Sequence, residues 1–275
     1  VVASEIHYPS TVVEVLELMR RNPATLIYAG GTEILRERGG RFVALPPVVA
    51  VIEALPELRA VTRTERFIDI GAALTMAEIL ELKEGTLPEA FVETLRGIAT
   101  PSIRNLATLG GNLATKRRFM DTWAVLACLD ALVELRDGAG SRWVNVNRLI
   151  DSEASPSFPA GSLMIRVRLP LEPWSLGVIR KTGNRSWPAL DSGIFALLMR
   201  IDKGIVASFR MAWAGEKAFR FPDLEGKIVG KRLPLDRNER ASLREDYRAA
   251  AEDISPGLAP AFVVLVEAAL DHLSR

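Results

Sequence analysis

Two pairs of adjacent glycines, Gly30-Gly31 and Gly110-Gly111, restrict this chain more than any other feature. Each is entered from an apolar run and left through a hydrogen-bonding side chain, Thr32 in the first and Asn112 in the second. A glycine pair lets the backbone take positive φ and come close to another group. A phosphate is one group that needs such an approach, because exposed N–H dipoles and a following helix start attract negative charge. The alternative is a tight turn whose Asn caps its own backbone. The second pair lies in Thr100 to Asp121, TPSIRNLATLGGNLATKRRFMD, and is expected between a strand and a helix. The first is expected after a strand, Thr25 to Tyr28, and before helical turns from Glu33 to Arg38, giving strand, glycine loop, short helix.

Other elements follow from period and punctuation. Thr11-Val12-Val13-Glu14 and Thr75-Met76-Ala77-Glu78 read as capping boxes, each opening a helix. Val12, Val15, Leu16 and Met19 give the first of these one apolar face. Val48 to Ile52 and Phe67 to Ala72 read as strands, and Pro88 to Gly97 and Asp121 to Asp130 as helices. Ala131 to Arg136 and Ser141 to Val146 form a hairpin across Asp137-Gly138-Ala139-Gly140. That Gly-x-Gly leads into a strand rather than a helix, so it is a turn and not a nucleotide fingerprint. Leu163 to Leu169 alternates Met164, Arg166 and Arg168 against Leu163, Ile165, Val167 and Leu169, the pattern of a half-exposed strand. Pro170 and Pro173 mark a boundary, followed by strands at Trp174 to Lys181, Ser192 to Ile201 and Ile205 to Trp213. Helices from Asp236 to Ala251 and from Leu258 to Leu273 complete an α+β chain, with Ser255-Pro256-Gly257 between them.

Composition closes several routes. Lys+Arg 35 against Asp+Glu 34 argues against a general polyanion binder. The one cysteine, Cys128, lies in an apolar run, which suits a buried thiol and a reducing, cytoplasmic setting, and excludes an internal disulfide or a Cys-ligated cluster held by this chain alone. His7 and His272 have no second ligand at useful spacing, so no metal site is expected. No apolar run reaches the roughly 18 residues of a membrane span, and no signal peptide is expected.

Taken together, Ala29-Gly30-Gly31-Thr32-Glu33, Ile103-Arg104-Asn105-x-Ala107-Thr108-x-Gly110-Gly111-Asn112-Leu113, Asp121 beyond it, and Arg180-Lys181 with Arg185 resemble the flavin-binding medium subunit of molybdenum hydroxylases. That group contains xanthine dehydrogenase and aerobic carbon monoxide dehydrogenase. The resemblance covers nearly the whole chain and implies a vanillyl-alcohol-oxidase-type (PCMH-like) FAD-binding domain over 1–170. Its two α/β subdomains would be about 1–53 and 54–170, with a C-terminal domain over 171–275 built on a small three-stranded sheet plus helices. It further implies that Ile27, Tyr28, Ala29, Gly30, Gly31, Thr32, Glu33 and Ile34 wrap the FAD pyrophosphate, Thr32 donating to a phosphate oxygen. Ala107, Thr108, Gly110, Gly111, Asn112 and Thr115 would cover the other side of the diphosphate and ribose. Asp121 would accept from a hydroxyl of the adenosine ribose, Met164 and Ile165 would pack near the ring and adenine, and Lys181 would sit at the flavin's polar edge. A cation at that edge raises the flavin's potential.

The same resemblance implies partners: a large subunit carrying molybdopterin and a small subunit carrying 2Fe-2S clusters, with electrons passed to NAD, oxygen or another acceptor. No His or Cys lies in either glycine loop, so the FAD is expected to be non-covalent, and this chain alone should be inert towards substrate. The sequence departs from the family at Arg117-Arg118, after Lys116, where a small residue and proline are common. Those cations either meet FAD phosphates or an acidic partner, or form a solvated loop. They also motivate a rival reading, a non-catalytic assembly or structural paralogue that has lost FAD. A stand-alone flavin reductase of the cell-wall precursor type is a third reading, without an identifiable proton donor here. Trp187 and Tyr28 have flavin-stacking and packing readings, and Trp143, Trp174 and Trp213 are expected in the core.

Overall fold

The computed structural model describes residues 5–37, 45–115, 121–182, 193–251 and 259–273. The segments Lys116-Arg117-Arg118, Arg185 to Trp187 and Ser255-Pro256-Gly257 lie outside the described residues.

The N-terminal unit runs β1 (Glu5–His7), α1 (Val12–Arg21), β2 (Leu26–Tyr28), α2 (Thr32–Glu37) and β3 (Val48–Val51). Its sheet is parallel in the order β1-β3-β2, and β1 was too short to show a period in the sequence. Thr11 caps α1 by accepting from the Glu14 amide at 3.2 Å, but Glu14 accepts from the Ser10 amide instead of completing the expected box. Val12 and Val15 bury one side of α1 against Ile52, Leu55 and Leu58.

The middle unit contains β4 (Val61–Arg63), β5 (Phe67–Gly71), α3 (Met76–Leu80), α4 (Glu89–Arg96), α5 (Pro101–Arg104), α6 (Leu109–Leu113), α7 (Thr122–Cys128), β6 (Leu132–Asp137), β7 (Gly140–Asn145) and β8 (Leu163–Pro170). The capping box of α3 is complete, with Thr75 and Glu78 bonding each other's backbone. The sheet is antiparallel in the order β4-β5-β8-β6-β7, so β8 is its centre and not the half-exposed strand its alternation suggested. A bulge opposite Glu134 and Leu135 leaves Ile165 outside the register. Met164, Val167 and Leu169 therefore join the main core, whereas Leu163 and Ile165 join the core shared with α1. Arg166 and Arg168 find carboxylates rather than solvent, Glu134 at 2.5 Å and Asp69 at 2.7 and 2.9 Å. Trp143 is 39% exposed, not core, and stacks on the Arg168 guanidinium opposite Phe67.

The C-terminal unit follows as β9 (Leu176–Thr182), β10 (Gly193–Asp202), β11 (Ile205–Ala214), β12 (Ala218–Arg220), α8 (Pro222–Ile228), α9 (Arg237–Ala251) and α10 (Ala259–His272). The three expected strands are present, and the short β12 extends them to a sheet ordered β12-β11-β10-β9. Its large residues, among them Phe195, Met211 and Trp213, face Tyr247 and Phe262 of the last two helices. Each fully buried side chain of that size contributes about 1.5–3 kcal/mol. Its small residues, Ala196, Ala212 and Ala214, face the middle unit and let α7 lie close against β10 and β11. One core thus runs continuously across the Pro170–Pro173 boundary.

Candidate functional site

The first glycine corner leaves β2 and turns into α2. Gly31 takes φ +66°, a left-handed conformation that favours glycine, and the Tyr28 phenol fills the space beside it. Tyr28 thereby packs on its own corner. Ile27 and Ala29 pack against the N-terminal core, and Thr32, Glu33 and Ile34 are half-buried in the first turn of α2. Among the described residues, the amides of Gly30, Gly31, Thr32 and Ile34 have no hydrogen-bond acceptor. Unspent donors of this kind belong to a helix start.

The second corner is built differently. Its glycines do not sit in a loop after a strand; the short α5 precedes them and they lie inside α6, with ordinary φ. Arg104 of the preceding motif braces the approach by donating to the Ile98 carbonyl at 2.6 Å. The chain then runs alongside residues 72–76: Met76 N donates to Ala107 O, Leu109 N to Leu74 O and Gly110 N to Ala72 O. Gly110 is glycine because a Cβ would stand 2.8 Å from both the Cβ and the carbonyl of Ala72. Thr108 caps α6, accepting from Gly111 N at 3.1 Å with its hydroxyl and from Asn112 N at 2.9 Å with its carbonyl. All the opening amides of α6 are therefore spent within the protein, which corrects the expectation that this corner aims several N–H groups at an anion. Of the two glycines, Gly111 faces outward, and among the described residues a Cβ there would meet only the Thr108 hydroxyl.

The two corners meet. A Cβ on Gly30 would lie 1.7 Å from the carbonyl oxygen of Leu106, so the first corner closes directly on the backbone that leads into the second. From there the wall continues. Thr115 donates to the carbonyls of Gly111 and Asn112 and closes the end of α6. Asn112 Oδ1 accepts from Thr122 N at 3.3 Å and Thr122 Oγ1 at 2.6 Å, tying α6 to the start of α7. Asp121, just before α7, bonds Lys181 Nζ of β9 at 2.5 Å. Loop 27–34, residues 107–115, Asp121 and Lys181 thus form one connected series.

Two expected residues stand behind this wall and not on it. Met164 and Ile165 are 7% and 0% exposed, each in a packed core. Ile165 acts through its backbone: its carbonyl accepts from Ala72 N, whose own carbonyl holds Gly110. Leu106, Ala72 and Thr122 were missed, because a variable motif position and two ordinary residues carry no signal until the backbone brings them to the glycines and to Asn112. A surface groove between α4 and residues 171–177, lined by Pro88, Glu93 and Trp174 among others, contains none of the site residues.

Residues 2–172 match the family model described as FAD binding domain in molybdopterin dehydrogenase. The chain belongs to this family. Among its relatives, the nicotinate dehydrogenase FAD-subunit of Eubacterium barkeri is 27% identical over 86% of this chain and 82% of its own length. The nicotine 6-hydroxylase medium subunit of Paenarthrobacter nicotinovorans is 28% identical over 85% and 83%. With the xanthine dehydrogenase FAD-binding subunit of Escherichia coli O157:H7 the identity is 28% over 61% of this chain, which spans only 58% of that subunit's length. The solved structures of carbon monoxide dehydrogenase from Hydrogenophaga pseudoflava and quinoline 2-oxidoreductase from Pseudomonas putida 86 superpose with TM-scores of 0.82 and 0.80. They cover 98% of this chain, and 95% and 94% of theirs, at 22% and 21% identity, a likeness of fold. The mixed α/β architecture expected from the sequence agrees with both comparisons.

The residues present fit the family's FAD. The first-corner amides that have no acceptor among the described residues suit a diphosphate, and at exposed Gly111 a side chain would reach outward from α6. Thr32 and the Asp121–Lys181 pair add side-chain donors and an acceptor at the same connected wall.

Proposed function

We propose that this chain binds one FAD non-covalently across its two glycine corners and serves as the electron-relaying flavoprotein subunit of a molybdenum hydroxylase. The observation that carries the reading is the closure of Gly30 on Leu106, which makes one continuous wall from residues distant in sequence. On this reading, 1–170 is the FAD-binding domain, with subdomains of about 1–53 and 54–170, and 171–275 closes over it. The loop 27–34 holds the diphosphate by its amides and Thr32. Ala107, Thr108, Gly110, Gly111, Asn112 and Thr115 supply the facing wall, which is preorganised because its own hydrogen bonds are already made. Met164 and Ile165 support that wall from beneath. When bound, FAD supplies the exchange between two-electron and one-electron transfer that side chains cannot provide. The partners would be a molybdopterin-carrying large subunit and a 2Fe-2S small subunit, with NAD or another acceptor downstream.

The rival reading, a paralogue that has lost FAD, draws support from the fully spent amides of α6. Flavin content decides between them. The purified full chain should be yellow, with one flavin per chain and the absorbance band of oxidised flavin. Gly111→Val should strip that flavin while leaving the fold intact, since among the described residues the added Cβ would meet only the Thr108 hydroxyl. Its structural cost is the cap, about 0.5–2 kcal/mol. A Gly111→Val protein with a full complement of flavin would remove Gly111 from the site, and a colourless wild type would favour the rival.

A further inference from the structure

Asp121 and Lys181 carry more than the sequence assigned to them. The resemblance placed Asp121 at the adenosine ribose and Lys181 at the flavin ring, parts of FAD separated by the diphosphate and ribityl chain. The structure places the two side chains in one 2.5 Å ion pair, so they serve a single part of the cofactor. Asp121 occupies the N-cap position of α7 yet makes no cap hydrogen bond. That duty falls to Asn112, which accepts from the Thr122 amide and leaves the Asp121 carboxylate turned to β9. Among the described residues, the Lys181 ammonium has no other bonding partner, and the adjoining cation Arg180 is directed to the Ile179 carbonyl and towards Glu93. Lys181 is 46% exposed at its side chain and Asp121 22%, so the pair is partly open to solvent and contributes little to stability.

Resting on the reading that this wall takes FAD, we infer that Asp121 is a positioning residue for Lys181 at the flavin-ring end. It fixes where the ammonium points and cancels part of its charge. An ammonium donates and cannot accept, which suits the carbonyl edge of the ring. A cation there favours the added negative charge of reduction, and a carboxylate opposes it. The protein would thereby set the flavin's potential through a dipole rather than a bare charge, and each substitution shifts it in its own direction.

The test compares the full-length wild type, Asp121→Asn, Lys181→Met and the double variant, each loaded with FAD and checked for fold by circular dichroism. Flavin fluorescence gives the FAD dissociation constant, and dye-equilibrated photoreduction gives the potential. Asp121→Asn should raise the potential, Lys181→Met should lower it, and the double variant should lie between them. The two substitutions should also be non-additive in FAD affinity by at least about threefold. Additive effects, or potentials that stay fixed while affinity changes, would overturn the inference by placing the pair at the adenosine end or apart in function. A wild type that takes up no FAD would overturn the functional reading and this inference with it.

Discussion

Gly30 and Gly110 have no room for a Cβ: the Leu106 backbone stands in the way of one, and the Ala72 carbonyl and methyl in the way of the other. Gly30→Ala should therefore act on the junction of the two corners. The methyl would collide with a carbonyl that cannot rotate away, costing about 1–3 kcal/mol as the segments separate. Urea unfolding should show that loss, and FAD affinity should fall with it. Gly111→Ala, which meets only a threonine hydroxyl, should leave unfolding within about 1 kcal/mol of wild type. Equal losses in both variants would show that the corners do not depend on their contact. The glycine pairs were legible in the sequence, but three of the four reasons for them were not. Gly30 and Gly110 answer to carbonyls far along the chain, and Gly31 to Tyr28 and a positive φ. Local grammar marks where backbone must come close, not what it comes close to.

Among the elements, α7 has the most to reconcile. All seven of its residues are buried, and its far end is held by cations from the C-terminal sheet. Arg220 donates to the Ala127 carbonyl at 3.0 Å and Arg210 to the Cys128 carbonyl at 3.0 Å, where cations meet the negative end of a helix. Asp130 bridges both guanidiniums, at 2.7 and 3.0 Å, and Arg220 also pairs with the buried Glu225 at 2.5 Å. Arg220→Met should cost about 3–5 kcal/mol, because it strands the buried Glu225 carboxylate and takes one donor from the Ala127 carbonyl, which keeps Asn147. Arg220→Met with Glu225→Gln should recover part of that loss in urea unfolding; no recovery would mean the Ala127 contact, not the ion pair, carries the energy. Helix α7 itself was plain from its apolar run. The cluster was not, since its residues come from β11, β12, α8 and the turn after α7, whose meeting no period reveals. The bulge at Ile165 is illegible for a related reason: an extra residue changes faces without changing composition. The strands β1, β4 and β12 are three residues each, too short for alternation to register.

For the molecule as a whole, pH tests whether these separate attachments act together. Glu78 is held below the usual carboxylate range, chiefly by the Thr75 amide and hydroxyl, with Arg59 assisting against the opposing effect of burial. Burial pushes Glu134 up, but hydrogen bonds from Ser141, Arg166 and Arg136 outweigh it and its pKa also lies low. A carboxylate whose folded pKa is depressed adds stability that is fully present above its unfolded pKa, about 4.3 for Glu. That stability is lost as the pH falls through the folded value, because the unfolded chain takes up the proton first. The thermal midpoint should therefore stay level from pH 7 to about 5 and fall below about 4.5. Glu134 lies on β6, next to the central strand, bridging it to β8 through Arg166, and Glu78 anchors the helix whose Met76 amide holds Ala107. Acid should thus loosen the sheet and the wall proposed to hold FAD in one transition. Glu134→Gln should lower the midpoint at pH 7 and flatten the acid limb, so that variant and wild type converge near pH 3. Parallel limbs at all pH values would show that the Glu134 charge adds nothing. Loss of bound flavin at a higher pH than unfolding would show that the wall gives way before the sheet, so that acid does not act on a single cooperative unit.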